Sequence, residues 1–136
     1  MPDASAAALP SEDSATAALA FLSEMSPDLR GAAVLGPSGE VLAASGEEPG
    51  RWGEDAAALF AAADAAEGVA VEQVHVATEQ GEIFAIRNQG LAAVSVTDRF
   101  ALASLMLFDM RSMLRELARS TANFGPPGRT KPRSDG

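Results

Sequence analysis

Cysteine is absent from this chain, which excludes a disulfide framework and any metal site built on thiolates. No apolar run approaches the roughly 18 residues needed to cross a bilayer. Met1 to Pro10 also lacks the basic stretch followed by an apolar core that marks a secretory leader. A soluble, cytoplasmic protein without membrane insertion is therefore expected. Basic residues are scarce: 10 Lys and Arg stand against 19 Asp and Glu, for a net charge of −9. That excess repels phosphate backbones and argues against nucleic acid as a partner. The charge is uneven, because Arg129, Lys131 and Arg133 against Asp135 give the stretch from Ser120 onward +2, leaving −11 for the rest.

Histidine occurs once, at His75. A nucleophile–base–acid triad would have to recruit a serine and an aspartate to it with no supporting spacing, so a structural or interface role is expected instead. Gly31, Gly36, Pro37 and Ser38 echo the spacing of a phosphate-binding loop. Pro37, however, takes the lysine position and removes both the cation and an N–H that such a cradle uses. The pairs Glu47-Glu48 and Glu54-Asp55 lack the alternating oxygen ligands and glycine of a calcium loop and read as solvated acidic segments. No catalytic residue, cofactor or metal is expected.

What the chain does contain is 136 residues, enough for one domain and too few for two ordinary ones. Alanine accounts for 29 of them, so much of the 47% hydrophobic content favours close backbone packing over large buried area. The organising stretch is Arg30 to Ser45. Two runs of small and branched residues, Ala32 to Leu35 and Val41 to Ala44, flank Gly36-Pro37-Ser38-Gly39, a turn signal between strands that are apolar on both faces. Such a sheet needs helices on both sides.

Around this hairpin the remaining elements fall in order. Ser11 or Ser14 can cap a first helix, with Ala15, Ala18, Leu19, Leu22 and Met25 on one face and Phe21 at its margin, ending at Ser26 before Pro27. A second helix starts near Trp52 and turns Trp52, Ala56, Leu59, Phe60, Ala63 and Ala66 toward the sheet. Its opposite side carries Ala57, Ala58, Ala61, Ala62 and Ala65, where a solvated helix would show Lys, Glu or Gln. That stripe permits another helix to approach closely. Arg51-Trp52 has the composition of an interface hot spot, but Trp52 lies on the face assigned to packing.

Three strand signals follow: roughly Val69 to Thr78, Ile83 to Asn88, and Leu91 to Thr97, separated by turns at Gln80-Gly81 and Gln89-Gly90. The last is small and branched on both faces, as a central strand would be. Thr97 or Asp98 can cap a final helix whose apolar face is Leu102, Met106, Met110, Met113, Leu114 and Leu117. Leu105 and Phe108 fall off that face and suggest a lateral neighbour, most simply the first helix. The methionines read as adaptable core filler. The domain is expected over residues 14–119, between a disordered N-terminal arm, 1–13, and a disordered basic tail, 120–136.

The resulting α+β order, α-β-β-α-β-β-β-α, resembles that of the roadblock / dynein light chain family. The resemblance rests on Arg30-Gly31-Ala32-Ala33-Val34-Leu35, Val41-Leu42-Ala43-Ala44-Ser45, the Ala-rich middle helix, Thr78 to Arg87, and the final Met/Leu/Arg helix. Val96-Thr97-Asp98-Arg99-Phe100 leading into Leu102-Ala103-Ser104-Leu105-Met106 is similar to bacterial stand-alone members. The resemblance implies a five-stranded antiparallel sheet between helices and a homodimer in which middle helices pack together and third strands pair. With the alanine stripe, it makes Ala57, Ala58, Ala61, Ala62, Ala65, Gln73 and His75 the candidate interface. It also implies a non-catalytic signalling adaptor or a regulator of a small Ras-like GTPase, with that GTPase or a signalling kinase as partner. A small-molecule sensing domain of a kinase-linked system is the alternative, because a sheet capped by helices can enclose a ligand.

Overall fold

The computed structural model describes residues 9–46, 51–88 and 90–124. Helix α1 spans Glu12–Met25, strands β1 and β2 Leu29–Leu35 and Val41–Ser45, and helix α2 Trp52–Glu67. Strands β3, β4 and β5 follow at Gln73–Ala77, Glu82–Asn88 and Leu91–Thr97, and helix α3 closes the order at Ala103–Phe124. All strand pairs are antiparallel. The spatial order of the sheet is β2-β1-β5-β4-β3, which makes β5 central, as its two-faced apolar pattern predicts.

Local sequence explains the helix ends. The Ser11 hydroxyl accepts from the Ser14 N–H at 3.0 Å and Glu12 and Asp13 occupy the positive first turn of α1. Gly68 closes α2 in the left-handed conformation at φ 78°, donating its N–H to the Asp64 carbonyl. The β1–β2 hairpin carries a register shift between Val34 and Leu35, just before its turn.

Strand alternation sorts the core into two layers. On one face of the sheet, Leu19 and Leu22 of α1 and Met110 and Leu114 of α3 pack on Val34, Phe84 and Ile86. On the other, Ala56 and Phe60 of α2 pack on Leu35, Ala85 and Val94, with Trp52 and Leu59 partly buried beside them. Trp52 is thus a packing residue; Ala66, although on the expected inner side of α2, is exposed.

Four expectations need correction. Helix α3 starts at Ala103 and not at a Thr97 or Asp98 cap. The Glu82 carboxylate, supplied by the neighbouring strand, accepts the Phe100 N–H at 2.7 Å and holds Phe100 at φ 67°, a conformation outside any right-handed helix. Leu102 therefore precedes the helix and is exposed, and Leu105 and Phe108 are exposed too instead of buried against α1. At the other end α3 runs through Phe124, past the boundary expected at Ser120, while residues 125–136 lie outside the described residues. Strand β3 starts only at Gln73, because the backbone at Val71 is engaged by side chains described below.

Candidate interaction surface

The five alanines Ala57, Ala58, Ala61, Ala62 and Ala65 are all exposed on the outer side of α2. What turns them outward is the anchoring of the inner side. Arg87, on β4, lays its guanidinium over the Phe60 ring at 4.2 Å and donates to the Asp64 carboxylate at 2.7 Å and to the Val71 carbonyl. Asp64 also accepts the Val71 N–H at 2.8 Å. The hydrogen bond from Arg87, then that from Val71, holds the Asp64 carboxyl below its ordinary value against the opposing effect of burial. One arginine thereby fixes the C-terminal end of α2 and the approach to β3.

Strand β3 is an edge: among the described residues its only hydrogen-bonded neighbour in the sheet is β4. Beside it runs an apolar groove of about 540 Å³, walled by Leu59, Ala62 and Ala66 of α2 and by Val71, Val74 and Val76. An open row of backbone donors and acceptors flanked by exposed apolar surface is a template for another strand.

The side chains of Gln73 and His75 turn away from the alanine side, although Gln73 also contributes to the wall of the groove. Val74 belongs to the α2 layer, whereas Gln73 accepts from Arg111 of α3 and His75 stacks on Phe84, 4.5 Å between centroids and 5° from parallel. The structure thus brings the alanines and the β3 edge to one flank but puts the Gln73 and His75 side chains on the other face of the sheet. They can enter a strand-edge contact through their backbone. His75 Nε2 lies 2.6 Å from Glu82 Oε1, and this hydrogen bond is the main influence lowering the Glu82 carboxyl against its burial. The sequence offered no spacing that would have paired His75 with Glu82; the β3–β4 register does it.

Other chemical candidates find structural explanations. At the phosphate-loop-like turn, the Gly36 N–H donates to the Glu40 carbonyl and the Ser38 N–H to the Glu40 carboxylate, so a carbonyl and an acid of the protein already occupy donors an anion would need. Glu47 and Glu48 lie outside the described residues, and Glu54 and Asp55 are exposed in the first turn of α2. Among the described residues no group of three or more His, Asp or Glu could hold a metal ion. No helix there is long and apolar enough to cross a membrane.

These features, a five-stranded antiparallel sheet with two helices on one face and one on the other, define the roadblock/LC7 fold. A Roadblock/LC7 domain from Streptomyces avermitilis aligns with a TM-score of 0.66 at 20% identity, over 79% of this chain and 97% of that one. The gliding protein MglB from Thermus thermophilus aligns at 0.68 and 18% identity, over 82% and 91%. MglB from Myxococcus xanthus gives 0.68 at 10% identity, over 91% and 95%. No protein-family model and no curated protein matches the sequence.

Proposed function

We propose that the chain is a non-catalytic homodimeric module that regulates a small Ras-like GTPase in the cytoplasm. The observation that carries the reading is the coincidence, on one flank, of the exposed alanine face of α2, the apolar groove and the unpaired β3 edge. Two copies meeting there by a two-fold axis would pair their β3 strands and let their α2 helices approach at alanine distance. The lone histidine supports the non-catalytic side of the reading, being engaged with Glu82 and Phe84. The acidic body favours a partner that presents a basic patch, with association slowing as salt rises.

Changing both Ala61 and Ala62 to Glu places charge where it would be desolvated and overpacked, and should convert the dimer to monomer in light scattering. A wild-type monomer at micromolar concentration would refute the dimer. For the partner, the tagged protein should retain an untagged Ras-like GTPase from its own host and change its rate of GTP hydrolysis. Nucleotide hydrolysis by the purified chain alone, abolished by His75→Gln with assembly intact, would overturn the non-catalytic reading.

A further inference from the structure

The opposite face of the molecule carries a second concavity that the proposed dimer does not use. It is a groove of about 540 Å³ between α1 and α3, walled by Ala18, Phe21 and Met25 on one side and by Asp109, Met113 and Leu117 on the other. Phe21 is 60% exposed and Met25 43%, and the patch continues past the end of the groove through Leu102 and Leu105, exposed by 66% and 52%. From Asp109 to Ser120 the α3 wall is about 16 Å long at helical rise.

Asp109 is the anomaly in this surface. It is only 8% exposed, it faces the groove from α3, and no side-chain hydrogen bond or ion pair engages it among the described residues. Burial alone raises its carboxyl above the ordinary value. The Asp109 carboxylate is thus largely desolvated, keeps some contact with solvent and has no partner among the described residues, which costs stability that a neutral residue would not. The surroundings offer no cation: Glu116 shares the groove, Asp28 lies with Asp109 in the small adjoining pocket, and neither concavity has a Lys or Arg in its lining.

We propose that this groove docks an amphipathic helix of another protein, whose apolar face covers Phe21, Met25 and Met113 and whose Lys or Arg pairs with Asp109. The groove is open along its length, about three turns of helix, and has polar margins at Ser14, Ser112 and Ser120, which suits a helix laid into it. A second copy of this chain fits poorly, since a two-fold contact would set Asp109 and Glu116 of each copy against the same acids. The chain's own C-terminal residues Arg129, Lys131 and Arg133 supply charge but no apolar periodicity to fill the groove. The site lies across the sheet from α2, so its failure and that of the dimer are separable.

The test uses the full chain and a fluorescein-labelled 14-residue Leu/Lys peptide with one apolar helical face, against a counterpart with Glu in place of Lys. The Leu/Lys peptide should bind with amide shifts confined to α1, α3 and the Asp98–Leu102 segment. Phe21→Ser and Asp109→Asn should each weaken it by about tenfold without altering oligomeric state. Asp109→Asn should also melt higher than wild type at neutral pH, which a purely structural aspartate would not do. Equal binding of the Glu peptide, shifts scattered over the acidic surface, insensitivity to both variants, or a lower melting temperature for Asp109→Asn would each overturn the proposal.

Discussion

Gly81→Ala should be among the most damaging single-methyl additions to this fold. A Cβ at Gly81 would fall 1.8 Å from Arg30 Nη2 and 2.3 Å from the Thr97 carbonyl oxygen. Arg30 sits there because it ties three segments together: its Nη2 donates to the Thr97 carbonyl at 2.8 Å and to the Gln80 carbonyl, and its Nε pairs with Asp98 at 3.2 Å. The guanidinium can swing away, but the β5 backbone cannot. With the Arg30 side chain 45% exposed, losing its two carbonyl bonds costs about 1–2 kcal/mol after discounting for solvent. Shifting the β3–β4 turn off the Thr97 carbonyl adds about 1–2 kcal/mol of packing strain. The sum is about 3 kcal/mol, or roughly a 10 °C drop in melting temperature for a chain of this size. Urea and thermal unfolding followed by circular dichroism, at fixed protein concentration, would measure it. In an Arg30→Ala background the same substitution should cost about 1–2 kcal/mol less, because the displaced group is already gone. A Gly81→Ala protein within about 0.5 kcal/mol of wild type, or full additivity with Arg30→Ala, would refute this account of the contact.

Met110, fully buried at the centre of the α1/α3 layer, should cost about 2–5 kcal/mol when changed to Ala, read from urea midpoints. The acid limb of stability follows from opposed carboxyls. Asp64 and Glu82, with lowered pKa, contribute stability that is present above about pH 4.5 and lost as pH falls through their folded values. His75→Gln removes the largest cause of the Glu82 shift, so the variant should lose less stability than wild type on acidification below pH 4.5; parallel curves would contradict this. Asp109 runs the other way. Its raised pKa means that its ionisation destabilises the fold as pH rises above 3.8, so the gain from Asp109→Asn should shrink when the buffer is acidified.

Sequence pattern carried most of the architecture because periodicity and turn chemistry act locally. Strand β5 falls at Leu91–Thr97, where alternation puts it, and α1 begins behind Ser11, one of the two capping hydroxyls the sequence offers and two residues ahead of the domain start expected at residue 14. The start of α3 did not follow, since Thr97 and Asp98 are sound caps in isolation and only the β4–β5 pairing delivers Glu82 to Phe100. The role of Arg87 was hidden for the same reason: its partners Phe60, Asp64 and Val71 are distant in sequence or carry no motif. Asp109 was not singled out from the sequence, although its position carries a signal. It stands three residues after Met106 and four before Met113, on the apolar face of an otherwise regular stripe, and a carboxylate there is a signal in its own right.

In the proposed dimer the open β3 edge would make this protein's stability depend on its amount. A strand with one neighbour leaves backbone groups that water satisfies in the isolated chain and that a paired strand satisfies better at high concentration. A second copy pairing there would bind only the folded form, so by mass action the melting temperature would climb with its concentration. At high concentration an uncovered edge of this kind, lined by Leu59, Val71, Val74 and Val76, can also template a wrong pairing. In the proposed dimer, expression level would therefore shift the folding equilibrium as temperature or denaturant does, and a cell making little of the chain would hold more of it as the less stable monomer.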